Sequence, residues 1–494
     1  MTQRSDDQAR TRRYFLKLAG GSTLALAGTG LLPFNRLLGP AAMQSAEAAV
    51  TTNPAPDLFM AGTDGWISLP KNPALQSAYF GAQTHPDNFV PDAKFSTYIF
   101  GFRDVTGLTD AQRAGQKMKA QHNAPLFWLD EVDPANPKAK QFRVNLMNLG
   151  LAMRPDLFDA HTIHYHGFRN VLPIFDGEPQ GSVAVTAGRV FQYVYRPRDP
   201  GTYMWHCHVE EIEHIHMGMT GPLFVRPKQN GTSYTWQGKT YDKFVYNDGD
   251  GSTGYDREFA MFMSEVWCDS HWADSHIELP EWSDYRADFC LLNGRVYPDT
   301  IAPNSLMNMP ANAAVAKNLH SLPVQRDASG DLLSRPGHEH LQYQPMSALV
   351  ECNAGDRVLL RFANLGFLES AMTLAGIRMT VVGKDATHMR GRPDNTNQRA
   401  DTSYDASTLS FGPGESIDAL FTAPAFSGGS GSSGQGYDVY LLFDRAYERT
   451  NNKAAGEGGL PYGGRQTEVR VYPAGTVQQQ LLPNTNPHLN SDVY

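Results

Sequence analysis

The chain has 494 residues, 41% apolar and 11% aromatic, with a formal net charge of −9. One hydrophobic core stops growing near 250–300 residues, so two or three domains are expected. The acidic balance, without a long Lys/Arg tract, argues against a nucleic-acid partner, which needs clustered cations. No internal stretch reads as a transmembrane span. The 45 Gly and 32 Pro place many turns in the chain and favour short strands over helical bundles.

At the N-terminus, Arg12 and Arg13 precede Tyr14, Phe15 and Leu16, and a mildly apolar, small-residue stretch from Leu18 to Leu38 follows. Ala46-Glu47-Ala48 then offers a small-x-small cleavage site. This resembles the twin-arginine export signal of bacteria and implies a periplasmic or extracellular protein. That route carries folded proteins, so a cofactor can be loaded before transport. Residues 1–48 are therefore expected to be a signal peptide and are set apart from the fold.

The remainder divides by composition into a first domain at 57–227, a linker at 228–256, a second domain at 257–473 and a tail at 474–494. The linker is rich in turn dipeptides, including Asp248-Gly249-Asp250-Gly251. In the first domain, one short helix is expected over Thr109–Gln121. Val190–Tyr195 alternates as a strand, Arg-Asp-Pro-Gly turns the chain, and Thr202–His206 forms the next strand. In the second, Asp356–Phe362 and Ser416–Phe421 are strand-like, and Ser427–Gly436 is a Gly/Ser loop. Regularly spaced strands with few helical patterns predict an all-β protein of two β-sandwiches.

Two segments of the first domain carry the chemistry. One is His161-Thr-Ile-His164-Tyr-His166; the other is His206-Cys207-His208, followed by His214 and Met219. Residues i and i+2 of a strand share a face. His164 pairs in direction with His166, and His206 with His208, while Cys207 points to the opposite side. A thiolate with two histidines and a weak axial Met is the trigonal site of a blue copper, and soft sulfur ligands select copper over harder metals. His161 and His214 are the natural histidines and Met219 the axial ligand. A second copper location lies back to back with the first, joined to Cys207 through peptide bonds. Zinc also accepts Cys and His, but the axial Met and the HxxHxH partner segment speak for copper.

These segments resemble the multicopper oxidase family, whose pattern is HxxHxH followed by HCH, a histidine and an axial Met. The resemblance implies two cupredoxin-like Greek-key β-sandwich domains and a copper-dependent oxidoreductase. It implies that His161, Cys207, His214 and Met219 are type 1 ligands, His164 a type 2 ligand, and His166, His206 and His208 type 3 ligands. Asp176, in Asp176-Gly177-Glu178-Pro179-Gln180-Gly181, matches the family acid that assists proton delivery; its plain alternative is a turn. Pro200–Tyr203, Leu292–Arg295, Arg361–Asn364 and Gly412–Glu415 also match family stretches. A reductant, small molecule or protein, would deliver electrons near His214, and oxygen is the implied acceptor.

The pattern departs from the family in two places. Five residues, Val209 to Glu213, separate His208 from His214, where three are usual. His216 therefore competes with His214, although its spacing to Met219 is wrong. Glu210, Glu211 and Glu213 read either as a solvated loop or as groups that dock a cationic donor. A trinuclear centre also needs eight histidines, and the first domain offers four. The matching second-domain stretch, Glu369–Met379, has none. His338-Glu339-His340 reads as loop, His85, His122, His276, His320 and His388 as ordinary histidines, and His271 is the one to watch. Three readings remain: a homo-oligomer, dimer or trimer, whose neighbours complete the centre; a copper nitrite reductase-like enzyme; or a non-catalytic electron-transfer or copper-binding protein. Cys268 and Cys290 can pair in an oxidising compartment or remain buried thiols, as can Cys352.

Overall fold

The computed structural model describes residues 54–70, 94–132, 141–169, 171–390, 401–429, 436–450 and 463–487. The expected signal peptide, His85 and the middle of the Gly/Ser loop lie outside them.

The first sandwich is built from β1 (Leu58–Pro70), β2 (Lys94–Asp104), β3 (Phe127–Asp130), β4 (Phe142–Asn148), β5 (His164–His166), β6 (Val190–Tyr195), β7 (Gly201–His206) and β8 (Thr220–Arg226). One sheet has the order β2-β1-β4-β6 and the facing sheet β3-β8-β7-β5. The strands form because their side chains alternate. In β4, Phe142, Val144 and Leu146 are buried, and the residues between them are half-buried. Between the sheets lie Phe100, Phe102, Phe127, Tyr165, Tyr193 and Trp205, together with Cys207 and Met219.

Residues 228–256, read as a linker, contain the hairpin of β9 (Tyr234–Trp236) and β10 (Lys239–Tyr241). The Asp248 carboxylate closes the following turn by accepting from the Gly251 and Thr253 N–H groups. Val245, Tyr246 and Tyr255 then pack on Leu359, Val382 and Leu420.

The second sandwich contains β11 (Arg257–Val266), β12 (Phe289–Leu292), β13 (Val350–Asn353), β14 (Arg357–Asn364), β15 (Ser370–Leu374), β16 (Met379–Lys384), β17 (Thr387–His388), β18 (Tyr404–Ala406), β19 (Thr408–Phe411), β20 (Ser416–Thr422), β21 (Asp438–Asp444) and β22 (Gln466–Tyr472). Its sheets have the orders β12-β11-β14-β20-β16-β17, with β18 beside β16, and β13-β22-β21-β15-β19. The plan repeats the first. Parallel β1/β4 corresponds to parallel β11/β14, and parallel β3/β8 to parallel β13/β22. By the same order β15 stands where β5 stands, and β21 where β7 stands. Parallel neighbours need crossovers between sheets, which gives each sandwich a Greek-key, cupredoxin-like path. The protein is all-β.

Helices are few. The segment Thr109–Gln121, expected to be helical, yields only α1 (Asp110–Ala114). A capping box between Thr109 and Gln112 starts it and Gly115 ends it, and Met118 at φ +67° prevents its continuation. Three more follow: α2 (Glu211–Met217), α3 (Cys268–Ser275) and α4 (Ala313–Ala316). No helix among the described residues is long and apolar enough to cross a membrane.

A buried polar network docks β7 on the second sandwich. Arg361 on β14 bonds Glu258 at 2.9 Å and Asp418 at 3.3 Å, and donates to Thr202 Oγ1 at 3.2 Å. The Ser416 hydroxyl donates to the Thr202 carbonyl at 2.7 Å. The strand that leads into Cys207 is therefore held at its start by the neighbouring sandwich. All four cysteines are buried and none is joined in a disulfide, so the expected alternative of a Cys268–Cys290 bridge is not realised.

Candidate metal centre

His161, Cys207 and His214 converge beyond the end of β7. One ligand atom from each falls within 4.8 Å of the others, and all three residues are fully buried. Cys207 Sγ lies 3.2 Å from His214 Nδ1 and accepts from the Thr162 N–H at 3.4 Å. Both ring nitrogens of His161 are buried without a hydrogen-bond partner. Met219 is buried in the same core, and its carbonyl accepts from the Cys207 N–H at 3.0 Å. Burial works against ionisation of Cys207, but the His214 and His161 imidazoles outweigh it and bring the thiol down to about 5. Burial likewise works against His214 protonation, and the Cys207 and Asp159 charges overcome it, raising that imidazole well above its usual range.

The five-residue spacing before His214 is explained by α2. Glu210 adopts a left-handed conformation, φ 45°, and the chain then turns helical rather than forming a solvated loop. Glu211 and Glu213 occupy the first turn, where carboxylates face the positive end of the helix. Gly218 ends the helix at φ +116°, and a Cβ there would sit 2.4 Å from His122 Cδ2, so only glycine fits. The helix directs His214 to Cys207 and turns His216 elsewhere. His216 Nε2 accepts from the Trp267 N–H at 3.0 Å, among Trp282, Tyr285 and Phe367. The same helix buries His214 completely. A donor expected to deliver electrons near His214 therefore meets no exposed imidazole there.

On the other side, β5 pairs with β7 so that His164 stands opposite His206. His164, His166 and His206 each offer a nitrogen within 4.8 Å of the others. His208 lies beyond the end of β7, yet its ring centroid is 5.0 Å from that of His164 and 5.3 Å from that of His206. Three Nδ1 atoms are already engaged: His164 with the Asp176 carbonyl at 2.7 Å, His206 with the Cys207 carbonyl at 2.8 Å, and His208 with Glu211 at 3.0 Å. Their Nε2 atoms are left for a ligand, the usual way a backbone carbonyl or carboxylate orients a metal-binding imidazole. Burial lowers His164, His166 and His206, which favours the neutral imidazole a metal needs. The Asp176 carboxylate is 3.6 Å from His164 Nδ1, half-exposed at the rim.

The second sandwich meets this face with the turn Gly412–Glu415; a Cβ on Gly414 would lie 3.2 Å from His166 Nε2. It contributes no histidine to the clusters of the described residues. Where β5 and β7 carry imidazoles, the equivalent β15 and β21 carry none; Ser370 and Asp444 lie at their ends, on the side that packs into the core. These bond each other at 2.8 Å, and Arg465, paired with Glu265, lies 3.6 Å from Asp444. His271 is buried on α3, its Nδ1 2.5 Å from the Tyr98 carbonyl, and is absent from the clusters; His340 pairs with Asp299 at 3.2 Å.

Sequence reading missed two residues. Asp159 Oδ2 lies 3.3 Å from His214 Nε2, which reserves Nδ1 for the side facing Cys207. Asn148 donates to the Asp159 and Val185 carbonyls at 2.6 and 2.8 Å, and Val185 pairs with His161. Asp159 shares an i, i+2 face with His161, a signal that was present. Asn148 had none, because its partners are backbone atoms.

Residues 148–230 match the sequence model of the multicopper oxidase family. The matched stretch contains all the candidate copper ligands: His161, His164, His166, His206, Cys207, His208, His214 and Met219. No curated protein matches the chain. Among solved structures it is similar to a blue copper oxidase from Nitrosomonas europaea, with 19% identity, TM-score 0.48, and coverage of 84% of this chain and 85% of that one. It is similar to the multicopper oxidase mgLAC, with 19% identity, TM-score 0.49, and coverage of 88% and 92%. It is also similar to a copper nitrite reductase from Nitrosomonas europaea, with 13% identity, TM-score 0.43, and coverage of 88% and 97%.

Proposed function

We propose that the protein is an exported copper oxidoreductase that takes single electrons from a small-molecule or protein donor and passes them to oxygen. The supporting observation is the back-to-back arrangement on one strand end. Cys207 faces His161 and His214, while His206 and His208 face His164 and His166.

One thiolate, two imidazoles and a nearby thioether fit a type 1 copper, and the unbonded nitrogens of His161 are what a bound ion would satisfy. Copper held by His161, Cys207, His214 and Met219 would supply one-electron redox chemistry. The protein's own part is positional. Asp159 holds the His214 tautomer, α2 excludes water from the thiolate, and peptide bonds link Cys207 directly to His206 and His208. Asp176 at the rim is placed to hold or deliver a proton beside His164.

A trinuclear centre does not fit one chain, because four imidazoles stand where eight are needed. The four fit a smaller centre, or half of one completed by a second copy in a homo-oligomer. The convergence of His164, His166 and His206 within reach of one ion favours a second reading: a three-imidazole copper of the nitrite reductase-like kind. A non-catalytic electron carrier is the remaining alternative. Export rests on Arg12-Arg13 and the stretch that follows.

The test is copper counting on purified protein, with visible and EPR spectra and oxygen uptake on phenolic donors. The proposal predicts more than one copper per chain and donor-dependent oxygen consumption. One copper per chain without oxygen uptake would refute it; nitrite reduction in place of oxygen uptake would select the second reading.

A further inference from the structure

A cavity of about 430 Å³ lies between β8 of the first sandwich, β11 of the second and the C-terminal segment, and none of the proposed copper ligands lines it. Its volume falls within the range of small-molecule sites. Arg226, Lys243 and Tyr255 line one side; Ala313, Ala316 and Leu482 give it an apolar wall; the exposed Lys228 and Lys317 are at its edge, with Asp130 and Asp242.

Charge and hydrogen bonding are unbalanced here. Lys243 Nζ donates only to two carbonyls, those of Asp256 at 2.7 Å and Gln480 at 3.4 Å, and pairs with no carboxylate among the described residues. The nearest buried acid, Glu258, is shared by Arg226 at 2.8 Å and Arg361 at 2.9 Å, and Arg361 also takes Asp418. Asp242 and Asp256 act on the Lys243 charge, but neither carboxylate bonds its ammonium. Among the lining residues, Arg226 Nε and the Tyr255 hydroxyl are buried without a hydrogen-bond partner. Burial pulls the Lys243 ammonium below its usual range. A half-buried ammonium with no carboxylate bonded to it can take an anionic partner, and buried donors at a cavity wall call for an acceptor.

We propose that this cavity binds a small organic carboxylate, with its head group at Lys243 beside Tyr255 and its apolar body against Ala316 and Leu482. The apolar wall distinguishes such a ligand from inorganic phosphate. The two sandwiches both contribute to the cavity, so the ligand would bridge them.

The test uses copper-loaded full-length protein, calorimetric titration and thermal unfolding, with sodium benzoate, benzamide and sodium phosphate at matched ionic strength. Benzoate is expected to bind saturably, one per chain, and to raise Tm with concentration, while benzamide and phosphate do neither. Lys243→Met should weaken benzoate at least about tenfold and Tyr255→Phe several-fold. Should Lys243→Met fail to fold, Tyr255→Phe and the exposed Lys317→Ala carry the test, each with reduced affinity. Equal binding of benzamide, equal binding of phosphate, no saturable benzoate response up to about 50 mM, or unchanged affinity in the folded variants would each overturn the proposal.

Discussion

Replacing Asp159 with Asn keeps the size of the side chain and removes its charge. Asp159 Oδ2 faces His214 Nε2 at 3.3 Å, and the backbone of Asp159 is held separately by Asn148 at 2.6 Å. The loop should therefore stay in place while the hold on His214 weakens. A hydrogen bond to an ionised partner contributes about 1.5–3 kcal/mol, and loss of a group that orients a metal ligand costs about 10–100-fold in metal affinity. At about 1.4 kcal/mol per decade the two figures agree. Asp159→Asn, whose amide oxygen can still accept, is expected near the tenfold end. Asp159→Ala, which leaves a buried donor unpaired, belongs near the hundredfold end. The assay is chelator-competed copper titration of metal-free protein, followed through the thiolate-to-copper absorption. Wild-type affinity within about twofold in both variants would refute a positioning role for Asp159.

Other outcomes follow from the same geometry. Gly218→Ala places a methyl against His122 at a positive φ, so denaturant unfolding should show a loss of about 2–4 kcal/mol. Glu258 is lowered from 4.5 to about 2; burial opposes this, but Arg226, Arg361 and Lys243 outweigh it. Its folded pKa is depressed, so its contribution is present above pH 4.5 and is lost as pH falls from there toward about 2. The amount is roughly 3 kcal/mol, readable as an acid slope in urea stability that Glu258→Gln abolishes. His164→Ala should remove copper from the imidazole face while leaving the Cys207 absorption, so copper counts fall and the blue band persists.

The two candidate clusters were legible because strand alternation and the His-Cys-His triplet encode direction as well as identity. β6, β7, β14 and β20 fell close to their expected positions because short apolar, β-branched and aromatic runs between turn residues mark strands, even where, as in β7, β14 and β20, nearly every residue is buried. The insertion before His214 was not legible as a helix. Seven residues with a left-handed Glu210 have little intrinsic helicity, and packing against the second sandwich, through His216 beside Trp282 and Tyr285, supplies what propensity lacks. The complete burial of His214 and its pairing with Asp159 are tertiary facts of the same kind. The missing second-domain histidines were visible as an absence.

The central claim is that Cys207 holds a blue copper with His161, His214 and Met219. The most direct measurement is the visible and EPR spectrum of copper-loaded protein beside that of Cys207→Ser. The account predicts an intense thiolate-to-copper band with a narrow EPR hyperfine splitting in the parent. Both should be lost in Cys207→Ser, with copper retained at the imidazole face. A copper-loaded, Cys207-intact protein without that band would contradict it.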